Sequence, residues 1–126
     1  MAHKTIFNVE TGIIETKYQG IVTFNEVKEV VSESITLSEE NKRYLWLADY
    51  SEATLNLSTM EIYDLPKLIL EAATSLNIVA FHIKRAIVII RDKANYEFAE
   101  IVSKNRGQNI DLFDDIEKAR KWLRNE

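Results

Sequence analysis

The sequence predicts an α/β layered fold, a mixed central sheet of about five strands flanked by about four helices. Three observations carry that reading. Tyr44 to Ala48 and Arg85 to Ile90 are nearly continuous apolar runs, the pattern of strands buried on both faces. Segments with helical periodicity alternate with these strand-like runs, which calls for right-handed crossovers. Finally, a hydroxyl or carboxylate stands three positions ahead of a glutamate at Thr23/Glu26, Ser58/Glu61 and Asp114/Glu117, the spacing of a capping box at a helix start.

Taken in order, Thr5–Val9 and Ile13–Tyr18 are short, rich in β-branched and aromatic residues, and separated by Glu10-Thr11-Gly12, which predicts a hairpin. Gly20 is expected to close the second strand. Thr23 then caps a helix whose inward face is Phe24, Val27, Val30, Val31 and Ser34, and Leu37 to Arg43 reads as a charged loop. A buried strand over Arg43–Tyr50 is followed by a loop over Ser51–Leu57. Ser58 caps the second helix. Pro66 lacks an N–H and disfavours helical geometry at Leu65, so a kink or a restart capped by Asp64 is expected there. Beyond it, Leu65, Leu68, Ile69, Ala72 and Leu76 mark the buried stripe. Arg85–Ile90 is the strongest strand pattern in the chain. Asp92 caps the third helix, with Ala94, Phe98, Ile101 and Val102 facing inward. Asn109–Phe113 is a last short strand, and Asp114 opens a final helix that buries Ile116, Ala119 and Leu123. The order is ββαβαβαβα, and 126 residues suit a single domain over 1–126.

Composition removes several function classes. There is no cysteine, which excludes thiol nucleophiles, disulfides, zinc ribbons and cluster ligands. Three scattered glycines, Gly12, Gly20 and Gly107, write no phosphate-cradling loop. The net charge is −4, with the basic residues concentrated in the second half, so the basic excess of a nucleic-acid binder is missing. The longest stretch without a charged residue, Ala72 to Ile83, is too short to cross a bilayer. The amino end lacks the apolar core of a signal peptide, and a cytoplasmic location is expected.

Candidate chemistry is sparse. Ligands of open α/β sheets sit beyond the carboxyl ends of the strands, and Asp49, Asp92 and Asp114 fall near those ends. Such a trio could hold magnesium, but Asp92 and Asp114 are fully explained as helix caps, which leaves Asp49 alone and no metal expected. His82, beside Lys84 and Arg85, has no evident orienting partner and reads as a strand-edge residue rather than a general base. Lys118, Arg120, Lys121 and Arg124 lie in the last turns of a helix, where cations offset its dipole. Ser58 and Thr59 open a helix directly after a strand and loop, so a phosphate on Ser58 would meet free N–H groups and the positive dipole end.

Four stretches resemble the STAS-type fold, in the branch of small stand-alone bacterial proteins called SpoIIAA-like or STAS/SEC14-like. They are Tyr18-Gln19-Gly20 with the Thr23 cap, Leu45 to Tyr50, Leu57 to Glu61, and Phe113 to Leu123. The last is the most distinctive, with its Ala119 and Trp122-Leu123. The resemblance implies a non-enzymatic role without cofactor. Anti-sigma-factor antagonists of this fold bind a partner kinase and are switched by phosphorylation at the start of the second helix, which points here to Ser58. The related branch implies an apolar or lipid ligand. The leading expectation is therefore a regulatory module that binds a protein partner around Asp49, Tyr50, Ser51, Ser58 and Thr59. The alternative is a carrier or sensor of an apolar small molecule, suggested by the apolar Pro66–Phe81 segment around a helix break. Tyr63 and Tyr96 are compatible with a homodimer interface or with the edge of the core.

Overall fold

The computed structural model describes residues 3–90 and 93–126, the side chain of Asn95 excepted. Its elements are β1 (His3–Asn8), β2 (Ile13–Val22), α1 (Phe24–Asn41), β3 (Leu45–Leu55), α2 (Thr59–Ser75), a 3₁₀ turn (Ala80–His82), β4 (Lys84–Val88), α3 (Lys93–Lys104), β5 (Asn109–Phe113) and α4 (Ile116–Leu123). The strands lie side by side in chain order, β1 antiparallel to β2 and every later pair parallel. Three consecutive crossovers advance in one direction across the sheet, and connections of one hand then stack α1, α2 and α3 on the same face. After the edge strand β5 the chain turns back, and α4 covers the other face. Two core layers result. Tyr18, Val22, Tyr50 and Trp46 pack beneath α1 to α3, whereas Ile13, Leu47, Ala86 and Val88 pack against Ala119 and Leu123 of α4.

The element order is as the sequence predicts, but several boundaries move. Gly12 turns the hairpin at φ +73°, its N–H donating to Asn8 O at 2.8 Å. Gly20 does not end β2; it sits inside the strand at φ +72°, just past a register irregularity between Lys17 and Gln19. The expected loop after Leu37 is helical to Asn41, because Ser38 is buried and its Oγ accepts a hydrogen bond from Trp46 Nε1 at 2.8 Å. α2 runs through Pro66 without a restart at Asp64, with the proline ring itself buried. α3 is rotated from its expected face. Tyr96, Val102 and Ser103 are buried, while Ala94 and Ile101 are exposed, since the Tyr96 ring packs edge-on against Tyr50 at 5.1 Å. The cap of α4 is Asp115 rather than Asp114, accepting from Glu117 N and Lys118 N. His82 lies exposed in the 3₁₀ turn, not on a strand. The expected Asp92 cap lies outside the described residues.

At Thr23 only half of the predicted capping box forms. The hydroxyl accepts from Glu26 N, but the Glu26 carboxylate is taken by His3 Nδ1 at 2.9 Å, while His3 Nε2 meets Glu33 at 3.0 Å. Two carboxylates on the two ring nitrogens demand the doubly protonated ring. Burial pulls the imidazole pKa down, but the hydrogen bonds to Glu26 and Glu33 outweigh it, and the net shift is upward. A group with a raised folded pKa contributes stability fully below its unfolded value, about 6.5, and loses it as pH rises through the folded value. Wild-type protein is therefore expected to lose melting temperature from pH 6 toward pH 8 relative to His3→Gln. Parallel pH profiles for the two proteins would refute the linkage.

Candidate functional site

The residues expected to share a binding rim are dispersed by the geometry of β3. That strand continues to Leu55, because Gln19–Val22 of β2 supply pairing partners for Glu52–Leu55. Asp49 and Tyr50 are consequently mid-strand rather than at its carboxyl end, and as neighbours in a strand they point to opposite faces. Asp49 lies on the α4 face. Its Oδ1 accepts from Ser51 N at 2.9 Å, and Lys17 Nζ stands 3.6 Å from Oδ2 and 3.1 Å from Glu52. The lysine hydrogen bond holds the Glu52 carboxyl below its ordinary range. Beside this group is an open crevice of about 330 Å³, lined by Lys4, Ile6, Glu15, Leu47, Ile116 and Arg120 among others. Asp114 instead borders a separate hollow with Ile89 and Lys93, so Asp49 and Asp114 do not converge. Among the described residues no group of three His, Asp or Glu side chains is placed to hold a metal ion.

Ser58 and Thr59 are exposed at the start of α2. The predicted capping box is complete there, with Ser58 Oγ accepting from Glu61 N at 3.1 Å and the Glu61 carboxylate accepting from Ser58 N at 2.9 Å.

Tyr50 belongs to a different environment, under the α1–α3 layer. Its ring stacks on Tyr18 with centroids 4.3 Å apart, and burial pushes its hydroxyl up to about 12. Next to it lies Arg85, which the sequence places only in a strand. In register with Trp46 of β3 and Ile110 of β5, Arg85 shares their face and projects beneath the helices. Its Nη2 donates to Gln108 Oε1 at 2.9 Å, and Gln108 Nε2 in turn donates to Pro66 O at 2.7 Å, a chain that joins β4, β5 and α2. Its Nε is sealed from solvent with no hydrogen-bond partner. No carboxylate pairs with it among the described residues, and desolvation lowers the guanidinium pKa to about 10.

Two cavities adjoin this arginine. One, of about 70 Å³, lies toward Thr16, Val30, Ser34 and Trp46. The other, of about 60 Å³, lies toward Leu65, Tyr96, Ser103 and Leu112. Val27, Tyr50, Arg85 and Ile87 border both. Among the described residues the lining is mostly apolar, with one cation and a few hydroxyls. Arg85 as a whole is half-buried, and an arginine heading an apolar run in a strand covered on both faces is the available sequence clue to it.

No protein-family model matches the chain, and no curated protein matches it. A solved structure does: an uncharacterized protein of the DUF3478 family from Shewanella loihica PV-4, described as having a SpoIIAA-like fold. The two share 17% sequence identity with a TM-score of 0.58, over 97% of this chain and 92% of that one. Likeness at this identity speaks to architecture. With its five-stranded mixed sheet and four helices in matching arrangement, the chain has a SpoIIAA-like, STAS-type fold.

Proposed function

We propose that the chain is a non-catalytic STAS-like module that carries or senses a small molecule with an apolar body, held between the sheet and the α1–α3 layer. The observation that supports this most is the pair of cavities meeting at Arg85 and Tyr50. Protein interiors are close-packed, and voids well above the roughly 10–15 Å³ that one water needs are few. Ligand pockets are typically apolar with a small number of placed polar groups, which is how this lining is built. Native mass spectrometry of protein purified without detergent is expected to show an added mass that is lost on denaturation. A uniformly ligand-free protein whose melting temperature no apolar compound raises would overturn the reading, since any ligand of the folded state stabilises it by mass action.

Recognition of a protein partner at the start of α2 is a second reading, favoured by the exposure of Ser58, Thr59 and Met60, the last 70% exposed. A phosphate on Ser58 would sit at the positive end of the α2 dipole. Phosphopeptide mapping of protein taken from its native cells would reveal modified Ser58 if this switch operates; unmodified Ser58 under every growth condition would sink it. Independently of any partner, Ser58→Ala is expected to cost about 1 kcal/mol by removing the cap. Urea unfolding measures that loss directly.

A further inference from the structure

Arg85 is half-buried, with its Nε sealed from solvent, and this bears on the chemistry of a ligand's head. A guanidinium taken from water is costly unless an anion or a full set of acceptors compensates it. Here Gln108 is the one side-chain acceptor recorded on Arg85 among the described residues, and Nε is left with none. Among the described residues no other lysine or arginine lines either adjoining cavity. Among the described residues the site therefore presents a single positive charge with an N–H donor to spare, beside apolar space that extends in two directions. A planar monoanion fits this better than a phosphate, because guanidinium N–H pairs match the two oxygens of a carboxylate and a doubly charged group would lack a second cation.

We propose that Arg85 anchors the carboxylate of a small amphipathic acid whose apolar tail occupies the cavities between β3, β4 and helices α1 to α3. This rests on the small-molecule reading above and names its chemical class. Buried hydroxyls on the lining supply further donors: Ser103 on α3 faces one cavity, and Ser34 on α1 and Thr16 on β2 face the other. Bound carboxylate would replace the missing partner of Nε. Through Arg85, Gln108 and Pro66 O, the same contact reaches the backbone of α2.

The test compares three probes on the full chain: hexanoate, hexan-1-ol and acetate, by calorimetry and thermal shift at pH 7. Hexanoate is expected to bind about tenfold or more tightly than hexan-1-ol, the usual worth of a hydrogen bond to a charged group. Acetate, with the charge but no tail, should bind far more weakly than hexanoate. Arg85→Leu should bring hexanoate and hexan-1-ol to parity. Arg85→Gln serves the same purpose should the leucine variant fold poorly, and the wild-type comparison needs no variant at all. Equal affinity for hexan-1-ol and hexanoate overturns the carboxylate anchor while leaving an apolar carrier standing. Acetate binding as tightly as hexanoate overturns the amphipathic ligand in favour of a bare anion site. Binding of none of the three, together with a protein free of co-purified mass, overturns both this proposal and the reading beneath it.

Discussion

Replacing Trp46 with alanine is expected to lower stability by about 3–5 kcal/mol, the range for deleting a large aromatic side chain from a packed core. Trp46 is only 7% exposed and sits among Ile14, Ile69, Ala72, Ala73 and Ile83, so it joins β2, β3 and α2 through apolar contact. Its indole N–H also donates to Ser38 Oγ, and Ser38 is fully buried. Truncation would leave a cavity and strand that hydroxyl without its donor. Trp46→Phe separates the two effects. It keeps most of the packing and is expected to cost about 1–3 kcal/mol, the penalty for a buried polar group left unsatisfied plus a smaller void. Urea titrations of both variants give the answer, with midpoints that fall while the slope stays constant. A Trp46→Ala loss below about 1 kcal/mol would show that the last turns of α1 are not held by this contact.

Leu123→Ala is expected to cost about 2–5 kcal/mol. Leu123 is 1% exposed, and α4 is short, with Ala119 and Leu123 as its buried residues. Those side chains cover Ile13, Leu47, Ala86 and Val88 on the face opposite α1 to α3. The surrounding contacts are more peripheral. Arg120 forks onto Glu15 at 2.9 and 3.1 Å, and Lys84 Nζ lies 4.4 Å from the Trp122 ring. Arg120 and Glu15 are partly solvated, and such pairs contribute little, so Arg120→Ala should cost no more than about 1 kcal/mol. Thermal denaturation of the two variants should therefore differ clearly. Equal losses would mean that α4 is held by its ion pair rather than by its apolar face.

These core contacts explain which features the sequence announces. The glutamates at Glu26 and Glu61 mark true helix starts because a capping box is local chemistry, satisfied within one turn. The same locality explains the limits. At Thr23 the box is incomplete because His3, remote in sequence, takes the Glu26 carboxylate. At the far end of α1, helix continues past Leu37 because Trp46 reaches back to Ser38. Neither event is visible in a short window of residues. The face of α3 differs from the expected one for a related reason: aromatic packing of Tyr96 on Tyr50 fixes the rotation of that helix, and the two residues are remote in sequence.

The candidate site follows the same division. Asp49, Tyr50 and Ser51 look like one cluster in sequence, yet strand pairing beyond them places Asp49 and Tyr50 on different faces. Arg85 looks like an ordinary strand terminus, yet its register between Trp46 and Ile110 carries it beneath three helices.

By itself, the sequence determined the order of elements and the α/β class, because periodicity and capping are properties of neighbouring residues, while the STAS-type architecture was implied by a resemblance over four stretches. Tertiary structure alone decided which face each helix covers, how far β3 extends, and that a guanidinium meets two apolar cavities with no acid paired to it among the described residues. The physical reason is that burial and charge compensation depend on what the rest of the chain brings within a few ångströms of a side chain.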